Sequence, residues 1–419
     1  MIDYTLLPEH RILCIDIKSF YASCECVARG LDPLNSYLAV IGDKNIASSI
    51  VLAASPKLKK DFGIKTGSRL FEIPRQPFIH LAEARMSYYL EMSMKVINLL
   101  NNFVPLEFIH IYSVDECWVC LDGTEKLWGD TWTAAQKIKN AIFQELGLPC
   151  CIGIGPNKFL AKVILDVEAK KSPLGIAECR YKDVPHKLWD KPVEQIWGIG
   201  SRMKRNLNNM GIITLGDLAH YPLPQLKKRF GIMGEQLYNH AWGIDLSPVT
   251  SSNYQEQQKS FGQGITLARD YTRLNEIQTV ILELCEEVTR RMRQFKKCGK
   301  TVSLALRYGY SHGGGFHSAH TITTPTNITK DIYNTCLHIL KENYRGQPVR
   351  KIYVTVGNLT DDQTIQTALF QDRLKEHKIG YIQDEIRQKF GNDAILRAVS
   401  FTGGGTMLER AKKIGGHKA

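Results

Sequence analysis

The chain has no apolar run long enough to cross a bilayer. Its first residues carry acids and the stretch Pro8-Glu9-His10-Arg11 where a secretory leader needs an apolar core. Together these two absences predict a cytoplasmic protein with no membrane role. Internal repeats and low-complexity tracts are also missing, which excludes a solenoid or a tail-dominated chain. Acidic residues are the scarcer charge, 42 against 54 basic ones, leaving a net charge of +12. That excess favours a polyanionic partner, nucleic acid before anionic membrane. Eleven cysteines are present, but their number is odd and their spacing forms no disulfide framework. Cys117-x-x-Cys120 suggests zinc only at first sight. Positions three apart on a strand face opposite ways, and no second pair lies at finger spacing, so buried free thiols are expected.

What is present is an ordinary globular composition, 43% hydrophobic and 23% charged over 419 residues. A chain of that length should divide into about two to four domains. The stretch Ser113-Val114-Asp115-Glu116 lies between aromatic and β-branched flanks, so a hairpin with two carboxylates near its turn is expected. Neighbours on a regular strand point to opposite faces, so both acids reach one site only if the backbone bends there. By itself such a pair reads as a solvated turn. Residues 11–17 read as a buried strand with a single acid, Asp16, which needs a base or a metal as partner. Three carboxylates from two strands match the oxygen ligands that Mg²⁺ takes together with substrate phosphates.

Cys14-Ile-Asp16-Ile17-Lys-Ser-Phe20-Tyr21-Ala-Ser resembles the first palm motif of the Y-family, or translesion, DNA polymerases. Ser113-Val114-Asp115-Glu116 resembles the second, and the Ala-Ser-Cys-Glu continuation is similar to the UmuC branch. The resemblance implies an α+β multidomain fold, the right-hand polymerase with palm, small fingers, helix-hairpin-helix thumb and α+β little finger. The palm would take residues 1–29 and 80–178, the fingers 30–79, the thumb 179–246 and a linker 247–258. The little finger would follow over 259–360, with a clamp-binding peptide and a C-terminal tail over 361–419. In the tail an amphipathic helix is expected over Leu374–Phe390, then a mobile basic end after Gly403.

The same resemblance implies site residues. Asp16, Asp115 and Glu116, with the Ile17 carbonyl, would hold two Mg²⁺ ions. Phe20 and Tyr21 would floor the sugar pocket, and Val51 and Ala53 would roof the nascent base pair. Lys57 and Lys60 stand where many family members have Tyr and Arg; Lys60 keeps a charge without the guanidinium fork. The stretch Cys150-Cys-Ile-Gly-Ile-Gly155-Pro156-Asn157-Lys158 reads as strand, glycine turn and helix, with Lys158 a phosphate ligand at the helix start. No Gly-Lys-Ser/Thr follows, so it is not a P-loop. Gly198 and Gly200 suit a hairpin that offers N–H groups to DNA phosphate, and Arg290, Arg291 and Arg293 suit phosphate contact by the little finger. Gln366, Leu369 and Phe370 are similar to the peptide by which bacterial polymerases dock on the sliding clamp. The implied partners are primer-template DNA, a dNTP and the clamp, for a monomer without a proofreading nuclease. Two other readings remain open. An inactive DNA- or clamp-binding accessory would have lost an acid, and a palm-fold nucleotidyl cyclase would lack the thumb and the basic C-terminal domain. His312, His317 and His320 leave a choice between a metal site and an exposed loop.

Overall fold

The apolar run Ile12–Ile17 forms strand β1, buried along its length except at Asp16, as a strand flanked on both edges should be. The computed structural model describes residues 2–249, 258–362 and 373–418, and the chain divides into a first unit up to residue 255 and a second over 256–416. After β1 the first unit continues through α1 (Phe20–Ala28), β2 (Tyr37–Ile41), β3 (Val51–Ala54), α2 (Pro56–Phe62), β4 (Ile79–Glu83) and α3 (Met86–Leu100). Next come β5 (Ile109–Ile111), β6 (Glu116–Cys120), α4 (Glu125–Trp128), α5 (Thr131–Leu146), β7 (Cys150–Gly155), α6 (Lys158–Ile164) and β8 (Ile176–Glu178). One sheet has the order β5-β6-β1-β7-β8, the other β3-β2-β4. β1 runs antiparallel to both of its neighbours, with Asp16 opposite Glu116 on β6 and Cys151 on β7.

The glycines of Cys150–Gly155 lie inside β7 and do not make a turn. Their role is to seat a helix. A Cβ at Gly153 would fall 2.0 Å from the Ala161 carbonyl oxygen, and one at Gly155 would fall 2.6 Å from the Ala161 nitrogen. α6 therefore rides directly on the β7 backbone, and Asn157 caps it by accepting from the Leu160 N–H. A π-helical turn over Leu165–Ala169 extends α6, a local widening often found beside functional sites.

Five short helices complete this unit: α7 (Val184–Lys187), α8 (Ser201–Asn208), α9 (Leu215–His220), α10 (Leu223–Phe230) and α11 (Ile232–Ala241). Gly198 takes φ +91°, open only to glycine at low cost, and Gly200 is the N-cap of α8. Nothing lies within 4 Å of a Cβ built at either position, so this backbone faces open space.

The second unit is β9 (Ser260–Tyr271), α12 (Leu274–Gln294), β10 (Lys297–Tyr308), β11 (Gly315–Thr326), α13 (Thr329–Asn343) and β12 (Val349–Asp361). Its antiparallel sheet has the order β11-β10-β12-β9, and α12 and α13 share one core with it. The amphipathic helix expected over Leu374–Phe390 forms as α14 (Arg373–Phe390). Where the sequence suggests a mobile basic end, the structure shows α15 (Met407–Ala411), and the tail is anchored to α12. Arg293 donates to Asp384 at 2.6 and 3.0 Å, and buried Glu286 accepts from Arg387 and Arg397. Glu283 accepts from the Thr406 and Met407 N–H groups at the start of α15. Arg293 is thus buried and committed to the fold, not to phosphate, while Arg290 pairs with Glu287 and Arg291 donates to the Gly262 carbonyl.

All eleven cysteines are free and buried. Among the described residues no helix is long and apolar enough to cross a membrane, and no cluster of His, Cys, Asp and Glu has metal-binding geometry, the His312–His320 hairpin included. The close seating of α6 gives a direct test. Gly153→Ala should lower the thermal midpoint sharply, because overpacking against rigid backbone costs about 1–3 kcal/mol or more. An unchanged melting curve would refute the seating.

Candidate active site

Asp16 is the next-to-last residue of β1, and Asp115 lies in the turn just before β6. The turn is tight: the Tyr112 and Ser113 N–H groups both donate to the Glu116 carbonyl at 3.0 Å. The Ile17 N–H donates to the Asp115 carbonyl at 2.9 Å, which locks the turn against the end of β1. This is the bend that two neighbouring acids require. Asp16 and Asp115 line one cleft of about 290 Å³ with Ile17, Ser19, Phe20, Tyr21, Leu52, Ala53, Lys59 and Thr66. Ser19 holds a left-handed φ of 49° there, an uncommon conformation for a residue with a Cβ, and its hydroxyl accepts from Lys59 Nζ at 2.8 Å.

Glu116 takes a different position. Its carboxylate meets Lys162 Nζ at 2.7 and 2.8 Å, both groups nearly inaccessible, and Cys14 Sγ donates to it at 3.2 Å. Lys162 also reaches Asp166 at 3.2 Å, and Lys170 bridges Asp166 at 2.8 Å and Asp16 at 2.9 Å. Lys162, Asp166 and Lys170 follow one another at four-residue spacing through α6 and the π-helical turn, which aligns them along one side. Burial raises the Asp16 pKa, Lys170 opposes that shift, and Asp115 and Glu116 add to it. Burial also lowers the Lys59 pKa, with Lys170 adding to the effect and Asp16 opposing it. Burial acts to lower the Lys170 pKa as well, but Asp16 and Asp166 outweigh it and raise the value above the usual lysine range.

Asp16 and Asp115 offer two carboxylates to a hard divalent cation, but with Glu116 turned to Lys162 the three expected acids do not form a three-residue metal cluster. Asp16 and Asp115 are carboxylates that repel each other across a shared opening, and Lys170 already places a cationic group on Asp16. Mg²⁺ commonly takes one or two carboxylates and fills its remaining positions with water and phosphate oxygens. Glu116 would have to be shared with Lys162 to join them.

Other expected residues fall in varied places. Tyr21 and Phe20 line the cleft, and Ala53 does so from β3. Val51 instead packs in the core of the three-stranded sheet. Lys60 is solvent-exposed on α2, Lys57 pairs with Asp61 above the Tyr37 ring, and Lys59 is the lysine that enters the cleft. Lys158 is displaced altogether. β7 runs antiparallel to β1, so its exit at Gly155 lies opposite Ile12, about 13 Å of strand from Asp16. There Lys158 sits over the Trp118 ring, 5.9 Å from its centroid. Sequence reasoning missed Lys59, Lys162 and Lys170, although the Lys162-Asp166-Lys170 spacing was a readable signal.

Residues 15–166 match the impB/mucB/samB family, residues 258–369 its C-terminal domain, and residues 194–245 the thumb domain of DNA polymerase-iota. The chain belongs to the impB/mucB/samB family of Y-family DNA polymerases. It is 50% identical, over the full length of both chains, to the putative UV-damage repair protein UvrX of Bacillus subtilis. It is 40% identical to DNA polymerase IV 2 of the same organism, over 98% of this chain and all of that one. The fold also matches a solved Y-family DNA polymerase chimera, with TM-score 0.65, 23% identity, and 84% of this chain and 99% of that chain covered.

The buried Lys162–Glu116 pair can be tested by removing one partner. Lys162→Met should cost about 3 kcal/mol of stability, because a carboxylate would be left without its cation. A denaturation midpoint equal to that of the unaltered protein would show that Glu116 does not depend on Lys162.

Proposed function

We propose that the chain extends a primer along its template at the Asp16–Asp115 cleft, joining the primer 3′-hydroxyl to the α-phosphate of a dNTP and releasing pyrophosphate. It is a DNA-directed DNA polymerase of the translesion class. The observation that carries the site assignment is the shared opening: two acids from separate segments face a cleft walled by two aromatic rings and a lysine. Y-family polymerases depend on divalent metal, and two Mg²⁺ ions bound here would polarise the phosphate and favour the hydroxyl as nucleophile. Asp16, Asp115 and the Ile17 carbonyl would hold them, and Glu116 is the third carboxylate of this reading, its charge balanced by Lys162.

The chain's own groups do the rest. Lys59 and Lys170 offer ammonium charge to the polyphosphate. Tyr21 floors the sugar, and Ala53 leaves slack above the base pair. Gly198 and Gly200, at the open turn before α8, offer backbone to a DNA phosphate. Arg290 and Arg291 remain candidates for phosphate contact once released from their carboxylate and carbonyl partners. The cyclase reading is disfavoured by the matched thumb and C-terminal domains, and the inactive-accessory reading by the three retained acids. Asp115→Ala or Glu116→Ala should abolish primer extension while primer-template binding persists, since phosphate contacts far from the cleft carry most of that affinity. Near-normal extension by either variant would exclude that residue from the metal site.

The clamp peptide Gln366, Leu369 and Phe370 lies outside the described residues and rests on sequence alone. Two adjacent apolar anchors and an upstream polar residue suit a docking pocket, and tethering would raise the enzyme's effective concentration at the primer end. Leu369→Ala/Phe370→Ala should leave clamp-free extension unchanged and remove stimulation by a loaded clamp. Stimulation that persists would exclude the peptide.

A further inference from the structure

The Tyr21 ring is not alone beneath the cleft. It stacks on Tyr89 of α3, with centroids 4.5 Å apart and planes 17° from parallel. Tyr89 is fully buried, and its hydroxyl donates to Glu25 Oε1 at 2.8 Å. Glu25 is one turn beyond Tyr21 on α1, so the two share a helix face. Its carboxylate has no exposure, yet it accepts from Arg85 at 2.9 and 3.0 Å and from Arg29. Burial works against the charged carboxylate, but Arg85, Arg29 and Tyr89 together keep its pKa below the ordinary glutamate value. The contacts close a circuit: α1 to Tyr21, Tyr21 to Tyr89, Tyr89 to Glu25, and back to α1.

A floor that selects by steric exclusion works only if it does not yield. A tyrosine on one helix face can rotate away from an added hydroxyl unless something behind it resists. Here the resisting surface is a second ring, with no room to move and its polar end pinned to a clamped carboxylate. We propose that Tyr89, Glu25 and Arg85 are positioning residues that set the preference for deoxyribonucleotides over ribonucleotides by holding the Tyr21 ring in place. The inference rests on the reading of Tyr21 as the floor of the sugar pocket.

The test is single-nucleotide incorporation by the full chain on a primer-template, with kcat/KM measured for a dNTP and the matching rNTP. Tyr21→Ala should lower the dNTP/rNTP ratio. Tyr89→Met, of similar volume but without a flat face, should lower it about three- to tenfold, less than removal of the floor itself. Tyr89→Phe keeps the stack but loses the hydroxyl pin to Glu25, so it should lower the ratio less than Tyr89→Met and by about as much as loss of the Arg85 clamp. In a Tyr21→Ala background Tyr89→Met should add nothing, because the two act as one unit. Glu25 keeps Arg29 and Tyr89 when Arg85 is replaced, so Arg85→Met tests the clamp without leaving the buried carboxylate unpaired, and it should lower the ratio about twofold. If Tyr21→Ala lowers the ratio while Tyr89→Met folds and leaves it unchanged, the inference is wrong and the floor reading stands. If Tyr89→Met does not fold, an unchanged ratio in Arg85→Met overturns it instead. A ratio unmoved by Tyr21→Ala removes both.

Discussion

Like charges crowded at one end of a sheet are the constraint around which the first unit is arranged. Asp16, Asp115, Glu116 and Asp166 lie close together in a partly dry setting, where mutual repulsion is weakly screened. Lysines reaching across from α6 and the turn that extends it, with Lys59 from α2, make the arrangement stable. Lys162 and Lys170 reach their places because α6 lies directly on β7, and α6 lies there because two glycines leave room. A backbone detail on one strand thus governs the electrostatics of acids on two others. The Lys170 bridge also gives the site a graded character: one carboxylate is already paired, one is paired in the interior, and the Asp115 carboxylate accepts from the Ser113 hydroxyl.

The acids themselves were legible in the sequence, for a simple reason. A carboxylate inside an apolar strand, as at Asp16, or beside an aromatic hairpin, as at Asp115 and Glu116, is costly without a purpose. Their lysine partners were not legible as partners, because lysines at four-residue spacing look the same on a solvated helix face as in a buried network. Lys158 was misplaced by strand direction. The local pattern correctly marked a helix start, but only the antiparallel pairing of β7 with β1 shows that this start lies at the wrong end of the sheet. Val51 was misread because positions two apart share a face on a regular strand, whereas the pairing of β3 with β2 shifts register between Val40 and Ile41 and Val51 packs in the core.

The architecture of the second unit could be read from its alternation of strands and helices, with strand ends extended by several residues. The tail helix α14 could be read too, but the segment after it could not. That segment has few apolar anchors, and it is attached to α12 by Arg397 and the N–H groups at Thr406 and Met407, meeting Glu286 and Glu283, with Arg387 of α14 also on Glu286. Such pairing leaves no hydrophobic periodicity. The readable trace was on the partner: two glutamates on the otherwise apolar face of α12 that needed something to bind.

Thiol burial has a consequence for chemical durability. Oxidants attack the thiolate, and none of the eleven cysteines is exposed. Burial pushes Cys26 and Cys120 up to about 11, and Cys117, Cys150 and Cys179 up to about 12. At neutral pH fewer than about one in ten thousand of these groups is ionised, which makes them poor targets for peroxide. A repair polymerase is needed when reactive chemistry has reached the genome. This one keeps its thiols out of that chemistry by packing alone, and the thiol that touches the site, Cys14 against Glu116, is held protonated by its own burial and by the acid beside it.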